Sequence, residues 1–347
     1  MEAKKSFQLA NNTHLCLSQD FILPKEKRPC LSHVSPMHSS LSIIDLKGYD
    51  DDECKNGLVQ DISKACKQLG MFQVINHGVP HDICQTLMVT LHEFFQLPSE
   101  ERALFFTQDH SESVKIFNYY FKCDDQRKVT MWSETFSHPW HPTQDFTHHL
   151  PNNPPQYREV FSAYAKEIGT LMNRLLRLMS QGLGLEEDSL VKRLEDRPNF
   201  YSQANYYPPC PEPELTMGLN EHNDITALTI LQQFDGVSGL QVKYDGKWIQ
   251  VDPIPGALVI ILADQMQVLS NGMYKSPVHR AVTNKRKPRL SLAMFYAPND
   301  ETMIGPIEKL MNGGYPPIYR SYKYKDYMEE YYRQEGKCRK VKEVFEV

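Results

Sequence analysis

The segment from about residue 198 to residue 297 constrains the fold most, because its pattern changes from helical to strand-like. Short apolar runs alternate there with turn residues. Asp245-Gly246 stands between QVKY and KWIQV, which predicts a two-residue hairpin, and Asn271-Gly272 predicts a further turn. Because this strand-rich segment follows helix-rich sequence and does not alternate with it, we predict a mainly β fold, a barrel or sandwich, braced by flanking α-helices.

Apolar periodicity and proline positions divide the whole chain into five segments. We expect an irregular N-terminal arm over 1–40, a region of short strands and helices over 41–155, a long bracing helix over 156–195, the strand-rich core over 196–300, and a tail over 301–347 that is helical from Tyr319 to Tyr332. Within the second segment, residues 105–155 are rich in aromatic side chains and lack periodicity. A long irregular segment in a compact chain is either disordered or functional, and the aromatic side chains favour an irregular lid over a pocket.

The strand-rich segment contains two histidines and an aspartate in an order typical of metal sites. His222 and Asp224 are two residues apart, and His279 follows Asp224 by 55 residues. If the first two lie on one strand, their side chains share a face of the sheet. Two imidazoles and one carboxylate form the facial triad of non-haem Fe(II) oxygenases, which leaves coordination positions open. Catalytic zinc sites use a similar set, so zinc remains an alternative from these residues alone.

A second pair of residues with strand spacing suits a carboxylate. Arg289 and Ser291 lie in RLSLAMFY, a strand-like apolar run. A buried arginine is costly unless an anion meets it, and a guanidinium beside a hydroxyl can bind a carboxylate by charge-assisted hydrogen bonds. Asn205 and Tyr207 share another strand face and could donate hydrogen bonds to a second carboxylate at the metal. The strand end at Pro208-Pro209 accounts for that pair equally well.

Composition argues against several classes of partner. The formal net charge is -5 and no basic stripe is present, so we expect no nucleic-acid partner. The longest apolar runs, such as Ala257 to Ala263, fall short of the roughly 20 residues that cross a bilayer, so we expect no membrane span. Without a secretory signal or a C-x-x-C motif, the eight scattered cysteines are expected to be free thiols. We therefore expect a cytoplasmic protein, and a monomer.

Four further histidines cluster between residues 138 and 149 without the spacing of a standard metal site. We expect a solvated loop there, and structural roles for Trp132 and Trp248. The histidines are His138, His141, His148 and His149.

Several runs together resemble one enzyme family in order and spacing. They are NYYPPCPEPELTMGLNEHNDITALTIL, GLQV, GKWIQVDPIPGALVI, LSNGMYKSPVHRAVTN and RLSLAMF. The chain resembles the plant 2-oxoglutarate- and Fe(II)-dependent dioxygenases, in the branch of specialised metabolism that oxidises flavonoids, alkaloids and hormones. The earlier runs SIIDL and LGMFQVINHGVP resemble the N-terminal region of that family, and the match covers roughly residues 40–335. The resemblance implies a double-stranded β-helix (jelly-roll) core.

The resemblance also implies a cofactor, a co-substrate and a reaction. By motif match, Fe(II) would be bound by His222, Asp224 and His279, the distal carboxylate of 2-oxoglutarate by Arg289 and Ser291, and its metal-bound end would lie near Asn205 and Tyr207. The implied reaction consumes O2, releases succinate and CO2, and hydroxylates, desaturates or demethylates a substrate through an Fe(IV)-oxo species, with ascorbate as a supporting reductant. No catalytic side chain beyond the metal centre is needed.

The expected substrate is a small, largely apolar molecule. Gln203 lies two residues before Asn205, and Phe295 lies six residues after Arg289, so both should face the same cavity. The other two expected substrate contacts come from the aromatic-rich segment, where plain hydrophobic packing is an equal alternative. They are Phe117 and Tyr119.

Two positions depart from the family pattern without removing a ligand. Asn223 stands between the first two ligands, where Thr or Ser is usual, and Ala263-Asp264 stands where Gly-Asp is usual. Two alternative functions remain open. One is oxidation like that of aminocyclopropane-carboxylate oxidase, which takes ascorbate in place of 2-oxoglutarate. The other is a non-catalytic small-molecule binder on the same fold.

Overall fold

The computed structural model describes residues 9–10, 17–29, 41–107, 109, 111–194, 198–234, 236–311, 316–335 and 340–347. Its strands are β1 (Ile43–Asp45), β2 (Met71–Ile75), β3 (Lys115–Phe117), β4 (Tyr120–Lys122), β5 (Lys128–Thr130), β6 (Glu134–Pro139), β7 (Asn199–Tyr207), β8 (Leu219–His222), β9 (Leu228–Gln233), β10 (Leu240–Tyr244), β11 (Lys247–Val251), β12 (Leu258–Leu262), β13 (His279–Ala281), β14 (Arg289–Ala297), β15 (Met303–Ile304) and β16 (Tyr322–Lys323). Its α-helices are α1 (Asp52–Gln68), α2 (His81–Gln96), α3 (Ser99–Arg102), α4 (Tyr157–Gly182), α5 (Ser189–Leu194), α6 (Asp264–Leu269), α7 (Glu308–Met311) and α8 (Tyr324–Arg333).

Two sheets carry the core. The major sheet has eight strands in the order β1-β2-β12-β9-β14-β7-β6-β3, and the minor sheet has four in the order β11-β10-β13-β8. Apart from the parallel pair β1 and β2, neighbouring strands in both sheets are antiparallel. This arrangement confirms the predicted mainly β fold with flanking helices.

Both predicted turns are present. In the β10–β11 hairpin, Tyr244 pairs with Lys247, so Asp245 and Gly246 form the two-residue loop. Their φ angles of 48° and 74° are those that a tight hairpin turn requires at both central positions. Asn271-Gly272 likewise adopts positive φ, at 50° and 77°.

The predicted helices brace the major sheet. Asp51 caps the first turn of α1 by accepting hydrogen bonds from two backbone amides, and Gly70, at φ 76°, follows the helix end. Where one long helix was predicted over residues 156–195, the structure has two, because a turn that contains Gly184, at φ 72°, separates α4 from α5. Helix α4 packs against α1 and α2. Its apolar stripe is buried in the main hydrophobic core.

The irregular lid predicted over residues 105–155 is wrong as a secondary-structure assignment. That segment contains β3 to β6, and β6 pairs along its length with β7 in the major sheet. The strands are only three to six residues long, and the partner of β6 lies far along the chain, so local periodicity does not reveal them. The segment therefore forms part of a sheet wall.

The two ends of the chain also depart from expectation. The C-terminal helix begins at Tyr324, and Tyr322–Lys323 is a strand paired with β15. In the N-terminal arm, the described residues Leu9, Phe21 and Leu23 are buried, so this part is packed. The prediction for the other residues of the arm (1–8, 11–16 and 30–40) lies outside the described residues.

Trp132 and Trp248 make structural contacts. The fully buried Trp132 donates to the Pro208 carbonyl at 3.1 Å and packs edge-on against Phe21. The ring of Trp248 lies 3.9 Å from the guanidinium carbon of Arg280.

Two further expectations concern free thiols and membrane-spanning helices. The described cysteines are all free thiols, namely Cys54, Cys66, Cys84, Cys123 and Cys210. The prediction for Cys16, Cys30 and Cys338 lies outside the described residues. Among the helices described, none has the length and hydropathy needed to cross a membrane.

The histidine cluster is solvated only in part. His148 and His149 are exposed, as predicted, but His138 is buried on β6, where the solvated loop was expected. Its Nδ1 lies 2.8 Å from the Pro139 carbonyl oxygen and its Nε2 lies 2.7 Å from the Tyr157 hydroxyl. A neutral ring that donates to the carbonyl and accepts from the hydroxyl satisfies both nitrogens. Burial lowers the pKa of His138 to about 4.

This buried histidine predicts a loss of stability in acid. In the unfolded chain the His138 ring binds a proton below its ordinary pKa of about 6.5. In the folded protein the ring stays neutral down to its pKa of about 4, so acid favours the unfolded chain between these values. The contribution of His138 to the free energy of unfolding should therefore fall by about 2 kcal/mol between pH 7 and pH 5. Urea unfolding of wild type and His138→Gln across this range measures the difference. His149→Gln, at an exposed position, is the control, and its free energy of unfolding should match that of wild type at each pH.

Candidate functional site

The pairing of β8 with β13 brings the predicted metal ligands together. His222 is the last residue of β8 and lies directly opposite His279, the first residue of β13. Asp224 lies two residues beyond the end of β8. The predicted placement of His222 and Asp224 on one strand is therefore wrong. Its carboxylate Oδ1 is nevertheless 3.6 Å from Nε2 of both histidines. One ligand atom from each side chain lies within 4.8 Å of the others, which is close enough to hold one metal ion.

The surroundings of the triad orient its ligand atoms. Nδ1 of His222 donates to the Asn220 carbonyl at 2.7 Å, and Nδ1 of His279 donates to the Pro277 carbonyl at 3.1 Å. Both rings therefore turn Nε2 toward Asp224, whose other carboxylate oxygen accepts a 2.6 Å hydrogen bond from Thr229. Such outer hydrogen bonds commonly fix the orientation and tautomer of metal-binding histidines.

Asn223 lies between the ligands but turns away from them. Its amide nitrogen donates to the Ser276 carbonyl at 2.7 Å, which ties the ligand segment to the segment before β13. The asparagine that departs from the family pattern therefore has a structural contact of its own.

Arg289 is a buried cation beside the triad. Its residue is 3% exposed, and no acidic side chain among the described residues forms an ion pair with it. The guanidinium donates to Gln233 Oε1 at 2.8 Å and to Ser291 Oγ at 3.2 Å, and lies 5.0 Å from the ring centre of Tyr207. Burial lowers the pKa of Arg289, although a guanidinium stays protonated in proteins.

Two buried hydrogen-bond donors, one on Arg289 and one on Gln233, lack an acceptor among the described residues. Within the part of the chain that is described, Nε of Arg289 and Nε2 of Gln233 have no hydrogen-bond partner. Unpaired buried donors are costly, and a carboxylate supplies the acceptors that both lack. These residues therefore fit an anionic ligand.

Two glycines make room for this arrangement. A Cβ at Gly239 would lie 2.7 Å from Cδ of Arg289, and a Cβ at Gly218 would lie 2.5 Å from the ring of Tyr207. Both distances are shorter than side chains tolerate, so a larger residue at either position would displace the arginine or the tyrosine.

The site side chains are ordered by the pairing of β7 with β14. Four cross-strand pairs, which we call the site ladder, run from the arginine end outward: Tyr207–Arg289, Asn205–Ser291, Gln203–Ala293 and Tyr201–Phe295. Asn205 accepts a 2.8 Å hydrogen bond from Thr135 through its side-chain oxygen. Because side chains two residues apart share a face, the members of the ladder point into one cavity.

One cavity of about 1010 Å³ contains all the site residues predicted from sequence. The predicted ligands, co-substrate contacts and substrate contacts that line it are His222, Asp224, His279, Arg289, Ser291, Asn205, Tyr207, Phe117, Tyr119, Gln203 and Phe295. The hydroxyl of Tyr119 donates to Gln203 Oε1 at 2.9 Å, and Tyr201 stacks on Phe295 with ring centres 4.6 Å apart.

Sequence reasoning missed two groups at this site, a glutamine that contacts Arg289 and a helix that lines the cavity. Gln233 faces Ser291 across β9 and β14, and its glutamine-rich sequence context gives no signal of that pairing. Helix α8 contributes a wall of side chains, and the tyrosine-rich composition of this tail was the one available signal. These residues are Tyr324, Tyr327, Met328, Tyr331 and Tyr332.

This fold and this site define a class of protein, the oxygenases that use Fe(II) and 2-oxoglutarate on a jelly-roll core. The chain belongs to the 2OG-Fe(II) oxygenase superfamily, whose sequence profile matches residues 199–298. A second profile, described as the N-terminal region of the non-haem dioxygenases in morphine synthesis, matches residues 41–157.

Relatives and solved structures agree with that class over nearly the whole chain. Flavanone 3-dioxygenase 2 of Oryza sativa subsp. japonica is 37% identical over 95% of this chain and 95% of its own. Protein DOWNY MILDEW RESISTANCE 6 of Arabidopsis thaliana is 37% identical over 92% of each chain. The crystal structure of JOX2 in complex with 2OG, Fe and JA is 32% identical, covers 99% of this chain and 97% of that chain, and has a TM-score of 0.86.

These comparisons confirm several predictions. The predicted jelly-roll core and the predicted family, the plant dioxygenases of specialised metabolism that depend on 2-oxoglutarate and Fe(II), are both confirmed. The protein is an oxidoreductase of this family, with Fe(II) as its metal and 2-oxoglutarate as its co-substrate. This finding favours an enzyme over the non-catalytic binder.

Proposed function

We propose that His222, Asp224 and His279 hold the Fe(II) ion, through Nε2 of each histidine and a carboxylate oxygen of Asp224. Their convergence and their backbone-bound Nδ1 atoms support this assignment. One neutralising carboxylate leaves the ion with a net positive charge, which favours an anionic chelating co-substrate at the remaining positions.

We propose that 2-oxoglutarate lies between this metal and Arg289. The observation that carries the proposal is the buried guanidinium without an acidic partner in the described chain, in the same cavity as the triad. Arg289 and Ser291 would bind the distal carboxylate, with Gln233 as a further donor through its unpaired Nε2. Asn205 and Tyr207 would lie toward the metal-bound end of the co-substrate.

The residues of the chain position the reactants and keep water out, and no side chain acts as a general base. Fe(II), when bound, supplies the activation of O2 that the oxidation needs. Arg289 orients one end of 2-oxoglutarate, which fixes where its other end meets the metal. The aromatic residues of the site ladder, together with helix α8, enclose the position where a substrate C–H bond would lie.

We propose a small, largely apolar substrate that contacts Phe117, Tyr119, Gln203 and Phe295. The stacked rings of Tyr201 and Phe295 favour a flat molecule, and the Tyr119–Gln203 hydrogen bond holds a polar group at its edge. Because the rice relative is a flavanone 3-dioxygenase, flavanones are the first compounds to test, with hydroxylation as the first outcome to look for and desaturation or demethylation next.

We also propose that the protein works as a cytoplasmic monomer and binds no nucleic acid. The free thiols of the described cysteines and the net charge of -5 support this assignment. Size-exclusion chromatography with light scattering measures the oligomeric state.

An anaerobic titration tests the cofactor assignments. Purified apoprotein receives Fe(II) and then 2-oxoglutarate, and the visible charge-transfer band of the iron chelate is recorded. We expect the band to appear at one equivalent of each. Iron binding without a band would contradict the 2-oxoglutarate site and favour ascorbate-dependent oxidation. Absence of iron binding would overturn the enzyme assignment altogether.

A further inference from the structure

The segment that carries Asp224 is held from behind by helix α6. The backbone amide of Asp264 donates to the carbonyl oxygen of Asp224 at 2.9 Å. The side chain of the next residue, Gln265, donates to the carbonyl oxygen of Ile225 at 2.9 Å. Both α6 residues are buried, so these contacts are shielded from water.

The C-terminal tail in turn holds the two α6 residues. Lys342 forms an ion pair with Asp264 Oδ1 at 2.8 Å, and Tyr327 donates to Asp264 Oδ2 at 2.7 Å. Tyr322 donates to Gln265 Oε1 at 2.8 Å. The tail is therefore linked by hydrogen bonds to the two α6 side chains, whose residues in turn hold the Asp224 segment. A longer bond of 3.4 Å also runs directly from the Tyr324 hydroxyl to the Ile225 carbonyl.

The Lys342–Asp264 pair differs from the other ion pairs of the tail in burial. The two side chains are 15% and 6% exposed, whereas Lys340 and Glu343, a few residues away, are 72% and 47% exposed. Exposed ion pairs contribute little to stability. Removing one partner of a buried pair leaves an uncompensated charge, so the remaining group and the backbone around it must shift.

We propose that Asp264 and Lys342 are positioning residues for the metal ligand Asp224. The buried ion pair fixes α6, and the α6 backbone amide fixes the carbonyl of Asp224, so that its carboxylate meets the two histidines. This inference rests on the proposed function, because it takes Asp224 to be an iron ligand. Tyr327 also lines the substrate cavity, so the same contact links the substrate wall to the metal site.

The test compares Lys342→Met with Lys340→Met, which removes a charge from an exposed pair of the same tail. Far-UV circular dichroism first establishes that both variants are folded. Anaerobic Fe(II) titration of the full-length protein then gives the dissociation constant of the metal. We expect Lys342→Met to bind Fe(II) about tenfold more weakly, the lower end of the range for outer residues of metal sites, and Lys340→Met to match wild type. Lys342→Arg should recover most of the affinity.

The outcomes separate this inference from the proposed function. If Lys342→Met binds Fe(II) as tightly as Lys340→Met does, the positioning role is overturned. The proposed function still stands in that case, provided that the wild-type protein binds Fe(II). Absence of Fe(II) binding in wild type would overturn both. If Lys342→Met fails to fold, Tyr327→Phe replaces it, because it removes only one hydroxyl from Asp264. That variant should bind Fe(II) several-fold more weakly, and unchanged binding would overturn the proposal.

Discussion

Asp224→Ala is expected to abolish Fe(II) binding and with it O2 consumption that depends on 2-oxoglutarate. The variant loses the carboxylate that faces both imidazoles at 3.6 Å and leaves the metal with two neutral ligands. Removal of an outer hydrogen-bond partner already weakens metal binding by about 10–100-fold, so removal of a ligand should exceed about 100-fold. Anaerobic titration with Fe(II), followed by the charge-transfer band with 2-oxoglutarate, measures both effects.

Two further variants test whether the loss of Fe(II) affinity depends on the Asp224 carboxylate. Thr229→Val removes the hydrogen bond to the other carboxylate oxygen of Asp224 and should weaken Fe(II) binding by about 10–100-fold without abolishing it. Asp300→Ala makes the same substitution at an exposed aspartate and should leave the affinity unchanged. Wild-type affinity for iron in Asp224→Ala would show that the ligand set has been assigned wrongly.

Arg289→Leu is expected to lose 2-oxoglutarate while it keeps iron. Truncating one partner of a buried, hydrogen-bonded charge pair costs about 2–5 kcal/mol, which raises the dissociation constant of 2-oxoglutarate at least about 30-fold. The Fe(II) affinity should stay within about twofold of wild type, because the triad contains no atom of Arg289. Titration of the Fe(II)-loaded protein with 2-oxoglutarate measures the first effect and metal titration the second.

Thermal unfolding gives an independent check of the Arg289 variant. Adding 2-oxoglutarate at about 100 times its wild-type dissociation constant should stabilise wild-type Fe(II) protein by about 2.7 kcal/mol. At the same concentration the increment should fall to about 0.9 kcal/mol or less in Arg289→Leu, because the dissociation constant is at least about 30-fold higher. Gln233→Leu removes only a neutral donor and acceptor, so it should fall between the two. An increment in Arg289→Leu equal to that of wild type would mean that the arginine is structural.

The parts of the fold that sequence predicts are those whose signal is local. Helix α4 shows its apolar stripe within a few turns, and the Asp245-Gly246 hairpin has its turn residues between its own strands. Strand β6 has neither signal, because it is stabilised by pairing with β7, which is separated from it by the whole of α4. Such non-local pairing leaves little trace in the period of a short segment.

The site divides in the same way. Arg289 and Ser291, or Asn205 and Tyr207, are visible because strand spacing places residues two apart on one face. Gln233 is not visible, since its place beside Arg289 depends on the register between β9 and β14. The tyrosines of α8 are not visible as cavity residues either, because the docking of a C-terminal helix is decided by tertiary packing.

The site ladder separates two tasks along its length, binding of the co-substrate and binding of the substrate. Its inner pairs, Tyr207–Arg289 and Asn205–Ser291, lie at the end that we propose binds 2-oxoglutarate, whereas its outer pairs include Tyr201–Phe295. Under the proposed function, substitutions in the outer pairs change the substrate that is bound, while the co-substrate site stays the same. A one-residue insertion in β7 or β14 would instead turn the following side chains of that strand to the other face of the sheet. Diversification by point substitution is thus open to this scaffold, whereas insertions within β7 or β14 are closed to it.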